Sequence, residues 1–178
     1  MIYYGVKTQG VYTIPPKSLK HKMKEFISFY DAYRFAYNKN ADIYEVYVDA
    51  SSAIKKNKAA YAFLIRRNGT VIYEDAKCIY FNKLKNSAYA ELYAVIKALN
   101  FCQKNKFNNI VLYYDFDGVE KFARDEFYGR RNNCEFIERY KRIVNDNTLN
   151  INFSKIKAHS GHHYNNRVDK LAKELIRG

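Results

Sequence analysis

The chain has 178 residues, with 31 lysines and arginines against 18 aspartates and glutamates, for a formal net charge of +13. That length fits one ordinary domain with a small extension, and no run of about 18 uncharged apolar residues suggests a membrane helix. The basic surplus points to a polyanionic partner, although charge alone also serves solubility, so the decision rests with the site.

Met1-Ile2-Tyr3-Tyr4-Gly5-Val6-Lys7 lacks the basic start and apolar stretch of a secretory signal, so a cytoplasmic protein is expected, and a monomer. Cys78, Cys102 and Cys134 are odd in number and widely spaced, without Cys-x-x-Cys. They are expected as reduced residues in or near the core, neither a disulfide framework nor a zinc site.

In chain order, residues 3–7 and 10–12 read as two short strands around a turn. Ile43-Tyr44-Glu45-Val46-Tyr47-Val48 is rich in β-branched and aromatic residues and predicts a strand ended by Asp49-Ala50-Ser51-Ser52. After the polar turn at residues 55–58, residues 60–65 predict a second strand. Asn68-Gly69 is a strong hairpin signal and introduces a third strand over 70–73, which resumes through 78–80. Residues 87–105 then change to a helical period with apolar residues on more than one side, so this helix is expected to be buried.

Ile110-Val111-Leu112-Tyr113-Tyr114 predicts a central strand. Short helices follow over 119–123 and 135–144. Residues 149–156 alternate as a half-exposed strand does, and a last helix starts near Asn166. The order β-β-β-α-β-α-α-β-α implies an α/β fold, a mixed sheet with helices packed on it.

Four carboxylates stand out. Asp49 and Asp115 follow apolar strands, where aspartate is unfavourable. Glu91 lies in the apolar helix, and Asp169 early in the last one. Each has an ordinary explanation by itself: a turn, a cap, a solvated helix position, or a favourable charge in a helix first turn. Brought together they would repel, by about 3 kcal/mol for a pair about 5 Å apart at an effective dielectric of about 20. Divalent Mg²⁺ or Mn²⁺ is the natural compensation for oxygen ligands.

The segments Val48-Asp49-Ala50-Ser51, Ala90-Glu91-Leu92, Tyr114-Asp115 and Val168-Asp169 resemble the type-1 ribonuclease H family. So does the stretch from Lys157-Ala158-His159-Ser160-Gly161-His162 through Asn165-Asn166-Arg167-Val168-Asp169, without a gap. The resemblance spans residues 43–178. It implies a ribonuclease H-like fold, with a five-stranded mixed sheet flanked by helices and a small N-terminal extension. It implies an endonuclease that uses two metal ions to hydrolyse the RNA strand of an RNA–DNA hybrid, leaving 5′-phosphate and 3′-hydroxyl ends.

Asp49, Glu91, Asp115 and Asp169 match the metal-binding, catalytic tetrad, with two Mg²⁺ or Mn²⁺ ions as cofactor. His159 matches the loop histidine that assists proton transfer or product departure, a role suited to imidazole. Ser51, Asn86, Ser87 and Asn165 are the candidate substrate contacts. His162 matches a second, structural histidine, and His163 is expected to be exposed; a zinc site made of histidines is disfavoured by the hard carboxylate set.

Ala50 stands where the family has glycine, which implies no need for positive φ there. Ser87 and Ala88 replace a frequent asparagine pair, which bears on contacts in the minor groove. Asp117 lies near Asp115, but Asp115 directly follows the strand. Residues 1–40 resemble a shortened hybrid-binding module, with a last strand and helix in 26–35 capped by Ser28 and with Lys7 and Tyr4 among its candidate contacts. The opposite reading of that segment is a minimal tyrosine core with a solvated basic face. Two other functions stay open: a nucleic-acid-binding module on this fold, and a nuclease acting on another duplex.

Overall fold

A computed structural model describes residues 6–8, 11–14, 24–26, 42–81, 86–124, 126, 135–157 and 162–177. The chain divides into two compact units, Met1–Ile43 and Tyr44–Gly178. In the first, β1 (Val6–Thr8), β2 (Val11–Ile14) and β3 (Lys24–Phe26) form an antiparallel sheet in the order β1-β2-β3. β1 and β2 overlap the two strands expected over residues 3–7 and 10–12, whose remaining positions lie outside the described residues. The helix expected after Ser28 lies outside the described residues, as does Tyr4.

The second unit is a five-stranded mixed sheet in the order β6-β5-β4-β7-β8. Its strands are β4 (Tyr44–Ala53), β5 (Lys58–Arg67), β6 (Thr70–Tyr80), β7 (Asn109–Tyr114) and β8 (Asn150–Lys155). Four helices accompany it: α1 (Ala88–Lys104), α2 (Gly118–Ala123), α3 (Glu135–Val144) and α4 (His163–Arg177). β4, β5 and β6 are antiparallel neighbours, whereas β4, β7 and β8 run parallel. No helix among the described residues is long and apolar enough to cross a membrane.

Three expectations change in detail. β4 does not stop at Asp49 but pairs with β5 through Ala53, so Asp49 sits inside a strand opposite Ala62. β6 is continuous across residues 74–77, because β5 supplies a partner along nearly its whole length, with one register shift at Ile65/Arg66 where Ile72 of β6 is passed over. α4 starts at His163, three residues early, which moves Asp169 out of the first turn. The Asn68-Gly69 hairpin is as expected: both residues have positive φ, at 52° and 81°, the pattern of a two-residue turn matched to strand twist.

Alternation along the strands divides the core. Val46, Val48, Phe63, Ile65 and Leu112 pack against α1, α2 and α3 through Leu92, Val95, Leu99, Val119 and Tyr140. Tyr47, Ala60, Ala62 and Leu64 point the other way, to Val168 and Ala172 of α4. α1 buries Ala90, Leu92, Ala94, Val95, Ile96, Ala98, Leu99 and Cys102, more than one face of the helix. Cys78 is half-buried and Cys102 buried, both free, while Cys134 lies outside the described residues.

Tyr140 is buried and donates its hydroxyl to the Val119 carbonyl at 2.5 Å, joining α3 to α2. Tyr140→Phe removes that donor and leaves a buried carbonyl without it. A loss of about 1–2 kcal/mol in chemical denaturation is expected, with the midpoint shifted and the slope unchanged.

Candidate active site

The parallel pairing of β4 with β7 sets the geometry. Tyr47 lies opposite Tyr113, and the same register continued two residues brings Asp49 level with Asp115. Neighbouring strands are about 4.8 Å apart, so two carboxylates at matching positions must face each other. Tyr47 and Tyr113 both belong to the α4 side of the sheet, and by alternation so do Asp49 and Asp115. Glu91 reaches the same point from the first turn of α1. Ligand oxygens of Asp49, Glu91 and Asp115 all lie within 4.8 Å of one another.

Burial raises the Asp49 carboxyl to about 8, reinforced by Asp115 and Asp169 and opposed by the Ala50 backbone N–H. That N–H donates to Asp49 Oδ1 at 2.7 Å. Burial likewise pushes Glu91 well above the usual carboxylate range, with Asp49 and Asp115 adding to it. Ala50 is not among the described residues with positive φ, so alanine is tolerated there without strain.

Asp169 lies outside the group of three but acts electrostatically on both Asp49 and Glu91. In the second turn of α4 the helix dipole no longer accounts for it. Both of its oxygens meet Lys173 Nζ, at 2.7 and 2.8 Å. Lys173 was not singled out in the sequence; the signal for it is its i+4 spacing from Asp169 on one helix face.

Asp117 stands apart from the cluster. It is exposed and paired with Lys155 and Lys121, and the Lys155 ammonium holds it below the usual carboxylate range.

Of the other sequence candidates, Ser51 is half-buried on β4, paired with Ala60. Ser87 is exposed ahead of α1 and makes no side-chain cap bond. Asn86 lines a cavity of about 120 Å³ with Ala88, Tyr89, Leu92, Phe116, Phe122 and Ile137. Asn165 is buried. The Oδ1 atoms of Asn86 and Asn165 have no hydrogen-bond partner among the described residues. Lys7 falls in β1, and His159 lies outside the described residues. His162 is half-buried beside the stacked rings of Tyr47 and Tyr113, at 5.3 and 6.0 Å between centroids, whereas His163 is exposed. Burial lowers the His162 imidazole, consistent with a packing role.

Phe116, directly after Asp115, lies so close to Gly118 that a Cβ on residue 118 would overlap its ring. Gly118→Ala is therefore expected to displace Phe116 and cost about 1–3 kcal/mol. A melting curve and the cleavage rate should both report it, with the rate falling as the strand end carrying Asp115 shifts.

An all-carboxylate set in which Asp49 and Glu91 are held above the usual carboxylate range fits a hard divalent cation, which would relieve the repulsion that burial imposes. A model of the RNase H family matches residues 41–177. The chain belongs to the RNase H family. It is therefore a ribonuclease H enzyme, and its fold agrees with that of solved relatives. RNase H1 from the halophilic archaeon Halobacterium salinarum is 20% identical, with a TM-score of 0.63 over 76% of this chain and 98% of that one. LC11-RNase H1, isolated from compost by a metagenomic approach, is 18% identical, with a TM-score of 0.62 over 77% of this chain and 97% of that one. A complex of LC11-RNase H1 with an RNA/DNA hybrid aligns at 17% identity and a TM-score of 0.59, over 75% and 96%. No curated protein matches this RNase H by sequence.

Proposed function

We propose that this RNase H hydrolyses the RNA strand of RNA–DNA hybrids with two Mg²⁺ or Mn²⁺ ions, leaving 5′-phosphate and 3′-hydroxyl ends. The observation that carries it is the convergence of Asp49, Glu91 and Asp115 within 4.8 Å, with Asp169 beside them. Family membership and the hybrid bound by LC11-RNase H1 support the substrate class.

In this reading Asp49, Glu91, Asp115 and Asp169 hold the ions through carboxylate oxygens. Bound there, a pair of divalent ions supplies activation of the attacking water and stabilisation of the leaving oxygen. The Ala50 N–H orients Asp49, and Lys173 orients Asp169. His159 moves a proton or helps the product leave. Ser51, Asn86, Ser87 and Asn165 are the proposed contacts to the duplex on this unit, and Lys7 and Tyr4 on residues 1–40.

The test is a panel of end-labelled RNA–DNA hybrid, duplex RNA and duplex DNA, with Mg²⁺, Mn²⁺ or chelator and with the product ends analysed. Metal-dependent cutting confined to the RNA strand of the hybrid is expected. Equal cutting of duplex RNA would point to the nuclease of another duplex, and tight binding without cutting to a binding module. For residues 1–40, deletion up to Asn40 should weaken hybrid affinity and flatten its salt dependence; unchanged values would assign them to stability instead.

A further inference from the structure

β6 is an outer strand of the five-stranded sheet: β5 lies on one side of it, and no described strand lies on the other. It runs for 11 residues without a proline, and Lys77 is its single basic residue. From Tyr73 to Tyr80 it pairs with β5 without a break, so its outer side presents a regular row of backbone N–H and C=O groups. Edge strands are ordinarily kept short, bulged, charged or covered, because such a row recruits another strand. β6 has little of that protection.

Its side chains are apolar towards the ends and charged in the middle. Ile72 is 43% and Tyr80 76% exposed, two of the three exposed large hydrophobics among the described residues. Asp75 and Lys77 share one face of the strand by alternation. They meet only loosely, at 3.8 Å, with the Lys77 side chain 68% exposed. Tyr73 and Ile79 pack on the core under the same face, while Ala76 and Cys78 belong to the α4 side.

This order complements itself. A second β6, antiparallel about a two-fold axis at Ala76, puts Asp75 opposite the partner's Lys77 and Tyr73 opposite the partner's Ile79. Ile72 comes beside the partner's Tyr80. Each of these pairs occurs twice, as an isologous contact requires. Moving the axis to Asp75 or to Lys77 would set like charges face to face, which destabilises a strand pair. An axis between residues would oppose different faces of the two sheets. Ala76 pairs with Ala62, and Ala62 with Asp49, so the axis lies level with the carboxylates. The two clusters would then stand about 24 Å apart along the sheet, at ~4.8 Å per strand, and the contact covers neither.

We propose that this RNase H self-associates through β6, edge to edge and antiparallel, into a two-fold dimer centred on Ala76 with one sheet continuous across both copies. The dimer takes the place of the monomer expected from the sequence. The proposal does not depend on which duplex the enzyme cuts.

The experiment is sedimentation equilibrium of the full chain over a concentration series, with melting curves to establish that each variant is folded. Wild type should show a monomer–dimer equilibrium. Lys77→Glu should weaken the dimer by about tenfold or more, since it sets an acidic group opposite the partner's Asp75. That variant also lowers the net charge of +13, so a general charge effect would strengthen association instead. Asp75→Lys should likewise be monomeric, and an equimolar mixture of the two variants should recover the dimer, because each edge then meets its opposite.

Ala76→Cys tests the register without altering a charge. Paired Cα atoms on antiparallel strands lie about 4.5–5.5 Å apart, within disulfide reach. Mild oxidation should therefore cross-link Ala76→Cys into a covalent dimer at least about tenfold faster than wild type, whose own cysteines set the background. Thr70→Cys should stay at that background, because its two copies would stand about 40 Å apart along the strands. A wild-type protein that remains monomeric at every concentration would overturn the proposal. So would a dimer indifferent to Lys77→Glu, or one that Ala76→Cys cross-links no faster than Thr70→Cys.

Discussion

Asp49→Asn is expected to abolish cleavage and, in metal-free buffer, to make the protein more stable. In the proposed mechanism Asp49 is a ligand of the reacting ions, and its loss removes several kcal/mol of transition-state stabilisation, on the order of a 10³-fold rate loss or more. The stability effect has the opposite sign because burial, Asp115 and Asp169 raise the Asp49 carboxyl from 3.8 to about 8. A raised acid favours the folded state while protonated. That contribution is fully present below the unfolded value near 3.8 and is lost as pH rises through about 8. Metal-free wild-type protein should therefore lose stability across that window, and the variant should lose much less.

At pH 8 we expect Asp49→Asn to be more stable by about 2 kcal/mol in metal-free chemical denaturation. Added Mg²⁺ or Mn²⁺ should raise the wild-type melting temperature and leave the variant nearly unmoved. Proton release on metal binding, read by calorimetry in two buffers of different ionisation enthalpy, should be larger at pH 7 than at pH 9. A variant destabilised in metal-free buffer at pH 8 would contradict the electrostatic origin assigned to the cluster.

Glu45→Ala should be the most damaging change away from the carboxylates. Glu45 and Arg66 form an ion pair with side chains only 11% and 15% exposed. Arg66 also donates to the Gly69 carbonyl at 2.9 Å and lies 3.9 Å from the Tyr164 ring centroid, and Tyr47 donates to Glu45 at 3.2 Å. Removing Glu45 leaves a guanidinium enclosed without its counter-charge, at a cost of about 3–5 kcal/mol. The exposed Lys170–Glu174 pair, with a 3.8 Å separation, should contribute under about 0.5 kcal/mol when Lys170 is changed to Ala. Urea denaturation of both variants checks the contrast. Because Arg66 contacts Tyr164 in the first turn of α4, the helix that carries Asp169, Glu45→Ala should also slow cleavage.

Much of this fold was legible in the sequence because each strand and helix carries its own period. The Asn68-Gly69 turn and the apolar run at 110–114 are local signals, and both formed where expected. The end of β4 was not legible. Asp49-Ala50-Ser51-Ser52 reads as a terminator by propensity, yet Ala62, Tyr61, Ala60 and Ala59 supply a partner for each residue. Tertiary pairing overrides propensity there. The start of α4 was missed because His162 and Tyr164 anchor it through rings on other elements, Tyr47 among them, which no local window contains.

The carboxylates divide in the same way. Their types and places were readable one by one, and the resemblance joined them. What joins Asp49 to Asp115 physically is the parallel register of β4 and β7, a contact between segments far apart in the chain. Lys173 escaped notice because a lysine four residues after an aspartate is common on helices, and only the closeness of Asp169 to Asp49 gives this one meaning.

The most direct measurement is the initial rate of RNA-strand cleavage in a labelled hybrid, as a function of Mg²⁺ and of Mn²⁺, for wild type, Asp49→Asn, Glu91→Gln and Asp115→Asn side by side. Wild type should rise from no activity in chelator to saturation with either ion, and each variant should stay near background throughout. Cleavage that persists in chelator, or that survives loss of any one of these three carboxylates at the wild-type rate, would contradict the assignment of the cluster as the catalytic metal site.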